Sequence, residues 1–352
     1  MDTVKVLHNL RKAPERNEVL RQIRQLDAPP YTVDPQVLRR FDQRQTVFGR
    51  KANDPQAEFY RKETHEHAAE IIGKGEPGYS RLELARSEAA WTVSNHFRGA
   101  YSWEKLDTSH PVMAQLDRYA VTDRAAMSAQ IKETTRMYGA DLVGICRADR
   151  RWVYSHTMDG DPPDIPPEFE YAVVMAVRMD AAAIQTSPAF LASTATGVGY
   201  SRMAFSIACL AEFIRNLGYR AIPMGNDTAL SIPLAIDAGL GELGRNGLLV
   251  TPEYGPCVRL CKVFINLPLE ADCPIEFGLA DVCRQCRQCA DACEVGAVSL
   301  DAEPSYKIAC HSNNAGIRRW AVNADKCYSF WVRNGASCST CIAACPFTRK
   351  AL

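Results

Sequence analysis

Two cysteine runs near the C-terminus constrain this chain more than any other feature. Cys283, Cys286, Cys289 and Cys293 are spaced C-x2-C-x2-C-x3-C, and Cys327, Cys338, Cys341 and Cys345 follow as C-x10-C-x2-C-x3-C, with Pro346 next. This is two-cluster ferredoxin spacing, in which three cysteines of each run hold one four-iron cluster and the fourth crosses to the other. Cys283, Cys286, Cys289 and Cys345 are therefore assigned to one cluster, and Cys327, Cys338, Cys341 and Cys293 to the second. A short loop wraps three corners of a cubane, and the helix after it carries the fourth cysteine toward its neighbour. Two irregularities stand out. Glu294 follows Cys293 where the ferredoxin pattern has proline, which alters the local turn without removing a ligand. Ten residues separate Cys327 from Cys338, and that gap predicts a widened loop holding Tyr328, Phe330, Trp331 and Arg333. Zinc is the rival for these cysteines, but zinc sites come as separated C-x2-C pairs with four ligands each, often with histidine.

Two domains, or one with an appendage, fit in 352 residues that are 47% hydrophobic. Lys+Arg and Asp+Glu number 41 each, so no global field favours nucleic acid or a charged membrane, and no nucleic-acid partner is expected. No apolar run approaches the ~18 residues of a membrane span. The opening MDTVKVLHNLRKAPERNEVL lacks an apolar core and a twin-arginine pair, so it does not read as a leader and a soluble, cytoplasmic setting is expected. Eight cysteines at cluster spacing point to a reduced or anaerobic setting rather than to disulfides. The remaining Cys146, Cys209, Cys257, Cys261, Cys273 and Cys310 are expected as small core hydrophobes.

Residues 1–120 are polar, proline-interrupted and arginine-rich, with helices expected at Leu82–Trp91 and Pro111–Tyr119. Of the aromatics Phe48, Tyr60, Trp91, Phe97, Tyr101 and Trp103, some are expected to wall a pocket. From Asp123 the text becomes regular. Asp123 caps a helix that runs to Tyr138 and stops at Gly139. Leu142–Cys146 and Tyr171–Met179 read as strands, the second so apolar that both its faces must be covered. Ile207, Leu210, Ala211, Ile214 and Leu217 recur at helical spacing, and Tyr219–Pro223 is a further strand. Alternating helices and buried strands argue for an α/β core. Leu248–Thr251 and Cys257–Ile265 read as a hairpin around Pro-Glu-Tyr-Gly-Pro. Gly239–Gly244 matches G-x-G-x-x-G, but the preceding SIPLAIDA is helical in pattern and no acidic ribose partner follows. A nicotinamide site is not expected there, although such a loop would let backbone approach a flat cofactor. Arg259 shares a strand face with Cys261, Val263 and Ile265. A guanidinium there needs a partner or a route to solvent, and the pattern leaves both open.

Residues 215–269 (RNLGYRAIPMGNDTALSIPLAIDAGLGELGRNGLLVTPEYGPCVRLCKVFINLPL), the two cysteine runs and NNAGIRRWAVNADKC ending at Cys327 resemble the corrinoid-dependent reductive dehalogenases. The resemblance spans roughly residues 120–350. It implies a base-off cobalamin or related corrinoid in a nitroreductase-like α/β core at residues 121–275, and a ferredoxin-like domain with two [4Fe-4S] clusters at 276–352. The N-terminal 1–120 would contribute to the pocket. The family's proton-donating tyrosine falls on Tyr200 in TATGVGYSRM, its asparagine on Asn226 in PMGNDT and its arginine on Arg259 in YGPCVRLCKV. A guanidinium beside a phenol favours the phenolate form. Thr196 and Trp331 are implied as pocket walls, and Ser231, Gly244 and Asn246 as corrinoid contacts. No Asp-x-His-x-x-Gly stretch occurs, in keeping with a cobalt that takes no histidine below.

The implied reaction is replacement of halide by hydrogen on a small organohalide. A low-potential donor reduces the clusters, which pass electrons to the corrinoid. A membrane anchor protein is a further implied partner. Respiratory members carry a twin-arginine leader and continue past the last cysteine run, so a cytosolic or shortened relative is expected, or an enzyme on the outer face of the cytoplasmic membrane where a leader is missing. Two rivals are an epoxyqueuosine reductase, with the same cofactor plan but a basic RNA-binding surface and a helical-repeat tail, and a non-catalytic electron carrier. The tyrosine–asparagine–arginine set and the neutral charge disfavour the first, and an α/β core of this size disfavours the second.

Overall fold

The run from Tyr171 to Arg178 has no charged side chain until its last residue, and such a strand is stable only with both faces covered. In the computed structural model, which describes residues 23–96, 99–106, 112 and 115–349, it is an inner strand of a four-stranded antiparallel sheet. The strands are β1 (Leu142–Arg147), β2 (Tyr171–Arg178), β3 (Ala221–Met224) and β4 (Val258–Ile265), in the order β1–β2–β4–β3. Around them lie helices α1 (Arg81–Ala90), α2 (Arg124–Met137), α3 (Phe190–Asn216), α4 (Ser231–Asp237), α5 (Leu279–Gln285) and α6 (Ala324–Asn334).

Side chains alternate across the sheet, and each face is covered. Tyr171, Val173, Met175 and Val177 join Cys261, Val263 and Ile265 on one face, packed by Met127 and Ile131 of α2 and by Met203, Ile207, Leu210 and Ile214 of α3. Ala172, Val174 and Ala176 face the other way, onto Leu234 and Ile236 of α4 and onto Trp152. Burying one such aliphatic side chain stabilises by about 1.5–3 kcal/mol. Helix α2 starts where Asp123 accepts a hydrogen bond from Ala126 N, and Gly139, at φ +96°, closes the turn after it. Helix α1 carries a complete capping box between Ser80 and Glu83.

Several expectations are corrected. Leu249–Val250 pairs with Glu242–Leu243, not with β4. β4 lies between β2 and β3, because an eight-residue strand with six apolar side chains gains more in the core than in a hairpin. Residues 115–119 are not helical. Tyr119 N instead donates to Leu217 O at the end of α3; the start of that expected helix lies outside the described residues, as do Phe97 and the first twenty residues. The stretch after Cys327 is not a widened loop but most of helix α6, capped by the Asn323 side chain and closed by Gly335 at φ +69°. Cys273 is exposed, and Cys209 and Cys310 are half-buried, so only Cys146, Cys257 and Cys261 are core residues. Among the described residues no helix is long and apolar enough to cross a membrane.

Asp237, at the end of α4, accepts a 2.8 Å hydrogen bond from Tyr31 Oη. Burial, with Asp149 nearby, pushes its pKa up to about 6. A carboxyl raised in this way stabilises the fold below its unfolded value, and that contribution is lost as pH rises through about 6. Asp237→Asn keeps the acceptor and removes the buried charge. It is expected to raise the melting temperature by a few degrees at pH 8, with a gain that shrinks below pH 6 in calorimetry.

Candidate active site

Thr196 and Tyr200 stand one turn apart on α3. Two glycines between and beside them make the site. A Cβ on Gly199 would lie 2.9 Å from Arg259 Cγ, and one on Gly197 would lie 2.7 Å from Trp91 Nε1. Their absence lets a guanidinium and an indole close on Tyr200. The Trp91 ring stacks on Tyr200 at 4.8 Å between centroids, with 25° between planes. The Arg259 guanidinium carbon is 5.3 Å from the same ring's centroid, within cation–π range. Arg259 Nη2 donates to Thr196 Oγ1 at 3.3 Å, and Nε points at Met179 Sδ at 3.1 Å. Asn226, on the loop after β3, donates from Nδ2 to Tyr200 Oη at 2.7 Å. The phenol is thus gripped on its ring and at its oxygen, and the guanidinium lies over the ring rather than in line with the hydroxyl.

These residues line one cavity of about 670 Å³, together with Trp331, Phe48 and Ser231. A second space of about 300 Å³ adjoins it and shares Asn226, Ser231 and Ile232. The structure therefore brings together Tyr200, Asn226, Arg259, Thr196, Trp331 and Ser231. Gly244 and Asn246 lie elsewhere, beside Cys283, Cys286, Cys289 and Cys345. Of the early aromatics, Phe48 and Trp91 wall the cavity, while Trp103 is exposed. The His65–Glu88 pair, 2.6 Å apart, lies on the same cavity wall and is absent from the expected site. Both come from the proline-interrupted region, where no spacing marks them.

The cysteines gather as two neighbouring sets. Burial first, then the neighbouring thiols, push the Cys283 pKa up to about 11 and Cys289 up to about 12. Cys345 is driven up the same way, with Cys283, Cys289 and Cys286 as its neighbours. Cys327 is pushed up to about 12 by burial, then by Cys338 and Cys293. Cys341 rises through burial and its neighbours Cys327, Cys289, Cys338 and Cys293. Thiols crowded like this ionise together only around metal. Among the described residues no group of three or more His, Cys, Asp or Glu closes to single-ion spacing, whereas the four thiols of the first set border a common space. Ala297 N donates to Cys293 Sγ at 3.2 Å and Thr340 N to Cys338 Sγ at 3.5 Å, as suits thiolate ligands. Arg245, buried to 1% exposure, donates to the carbonyls of Cys283, Ser299 and Asp301. Ser337 and Ile342, which flank Cys338 and Cys341, also line the large cavity. The second set is thus the one beside the cavity.

The family model described as a reductive dehalogenase subunit matches residues 162–269, and the one described as a 4Fe-4S dicluster domain matches 282–348. A tetrachloroethene reductive dehalogenase of Desulfitobacterium hafniense is 37% identical over 293 residues, covering 71% of this chain and 53% of that one. A solved structure, presented as suggesting a mechanism for B12-dependent dehalogenation, superposes with a TM-score of 0.72 at 26% identity over 94% of this chain and 45% of its own. An epoxyqueuosine reductase of Listeria monocytogenes matches a shorter stretch, 34% identical over 119 residues, or 34% of this chain and 29% of that one. The tetrachloroethene enzyme and the solved structure are reductive dehalogenases, and the chain shares with them a mixed α/β fold and a C-terminal 4Fe-4S dicluster domain. It spans about half the length of the tetrachloroethene enzyme it matches.

Proposed function

We propose that this chain replaces halide by hydrogen on an uncharged organohalide, with a base-off corrinoid in the large cavity and two four-iron clusters behind it. The carrying observation is that Tyr200, Asn226 and Arg259 converge on a cavity whose wall includes Ser337 and Ile342, the residues next to Cys338 and Cys341. The proposal includes a nitroreductase-like core at 121–275 and a cluster domain at 276–352. The cavity fits a large flat group. Its two lobes join at Asn226, Ser231 and Ile232, and Trp91, Trp331, Leu248 and Leu249 give it broad apolar walls. When bound, a corrinoid supplies low-valent cobalt able to break a carbon–halogen bond.

The protein's own groups do the rest. The overall change takes two electrons and one proton, and yields the hydrogenated product and free halide. Tyr200 Oη supplies the proton, held in place by Asn226 Nδ2. Arg259 keeps a positive charge against the ring, where negative charge on the departing halide or on the phenolate is eased. The aromatic walls suit an apolar halide such as the chlorinated alkene in the relative's name. The Cys327, Cys338, Cys341 and Cys293 set is the inner cluster, and the Cys283, Cys286, Cys289 and Cys345 set takes electrons from a low-potential donor. A membrane anchor protein remains a proposed partner. Protein reconstituted without oxygen is expected to take up one corrinoid and about eight irons, and to release halide with a reduced low-potential dye. Iron uptake with no corrinoid uptake would favour an electron carrier.

A further inference from the structure

Lys262 is 0% exposed and sits mid-strand in β4, between Val174 of β2 and Met224 of β3. Its neighbours on that sheet face are apolar, Val258 and Phe264 among them. An ammonium in such a place persists only with its hydrogens satisfied. Nζ donates to Gly225 O at 2.6 Å, to Asp227 O at 3.1 Å and to Ser231 Oγ at 3.1 Å. The two carbonyls belong to the residues on either side of Asn226, so one cation ties the backbone both before and after it.

The rest of the loop is braced around this grip. The Asp227 carboxylate accepts from Gly225 N at 2.7 Å and from Thr228 Oγ1 at 2.8 Å. Thr228 is held at φ +64°, a region a β-branched residue enters only when its surroundings over-determine it. Above the loop, a Cβ on Gly225 would lie 2.8 Å from the Tyr101 ring, so the backbone is pressed against that side chain. Burial pushes the Lys262 pKa down to about 8, with Asp227 opposing, so the amine keeps its proton at neutral pH.

We infer that Lys262 is a positioning residue: by clamping the carbonyls of Gly225 and Asp227 it fixes the loop so that Asn226 Nδ2 stays on Tyr200 Oη. Any role in turnover rests on the proposed function, but the positioning itself can be read without turnover. The full chain, reconstituted with iron and a corrinoid, would carry 3-fluorotyrosine at position 200. Lys262→Met keeps the side-chain length and removes all three donors. Its fluorine resonance is expected to move in the same direction as in Asn226→Ala, and adding Lys262→Met to Asn226→Ala should move it no further. In halide release, kcat should fall about tenfold with KM little changed, and the double variant should match Asn226→Ala alone. A Lys262→Met resonance that superposes on wild type while Asn226→Ala moves would overturn the inference, as would additive effects in the double variant. Lys262→Gln, with two N–H donors, should lie between wild type and Asn226→Ala, and carries the test where the methionine variant does not fold; an unmoved resonance there also overturns it. Resonances that follow the expected pattern in a protein that releases no halide would sustain the clamp and remove the dehalogenase reading.

Discussion

Tyr200→Phe is expected to lose about 100-fold or more in halide release while keeping corrinoid and iron at wild-type levels. The reason is geometric. Only Oη is removed, and the ring stays between Trp91 and Arg259, where stacking and cation–π contact are unchanged. Asn226 loses its acceptor, but it is solvent-exposed and water can replace the phenol, so the fold gives up little. A positioned general acid contributes about 10²–10⁴-fold, and that whole factor resides in the one hydroxyl. Cofactor content is read from iron analysis and the corrinoid spectrum, and turnover from halide. Undiminished turnover would take Tyr200 out of its role.

Cys293→Ala and Cys341→Ala are expected to abolish turnover and to lose the same cluster signal, although the two residues come from different cysteine runs. Cys341 has Cys327, Cys338 and Cys293 among its neighbours, and Cys327 has Cys338 and Cys293. Cys283→Ala and Cys345→Ala should lose the other signal together. Iron should fall from about eight to about four in each case. Paramagnetic resonance of the reduced protein distinguishes the two clusters. If Cys293→Ala instead silences the signal that Cys283→Ala removes, the sets are not crossed.

Much of the core was legible because its cues are local. An unbroken apolar run marks β2, Asp123 and Gly139 bracket α2, and the cysteine spacing already separates the two thiol sets. What stayed hidden depends on pairing over distance. β4 resembles half of a hairpin because its turn residues are suggestive, but its partners lie about 40 and about 90 residues upstream, and no local signal names them. Helix α6 did carry a local signature, Asn323 before it and Gly335 after it. The ferredoxin template masked that signature by implying a loop. At the site, the resemblance supplied Tyr200, Asn226 and Arg259, and the residues alone would not have. Ser231 lies on the cavity wall, whereas Gly244 and Asn246 lie beside the thiols, since the glycine-rich turn packs under α5 and not under the larger space. Lys262 is a lone cation on an otherwise apolar strand face, and its meaning comes from the loop folded over it.

The most direct test is electron accounting against halide. Protein reconstituted with corrinoid and iron is reduced by a measured amount of dye and then mixed with an excess of a chlorinated alkene, phenol or aromatic. One halide for every two electrons is expected, with none released when the corrinoid is omitted. Clusters that stay reduced in the loaded protein across all three substrate types, with no halide appearing, would contradict the proposed reaction.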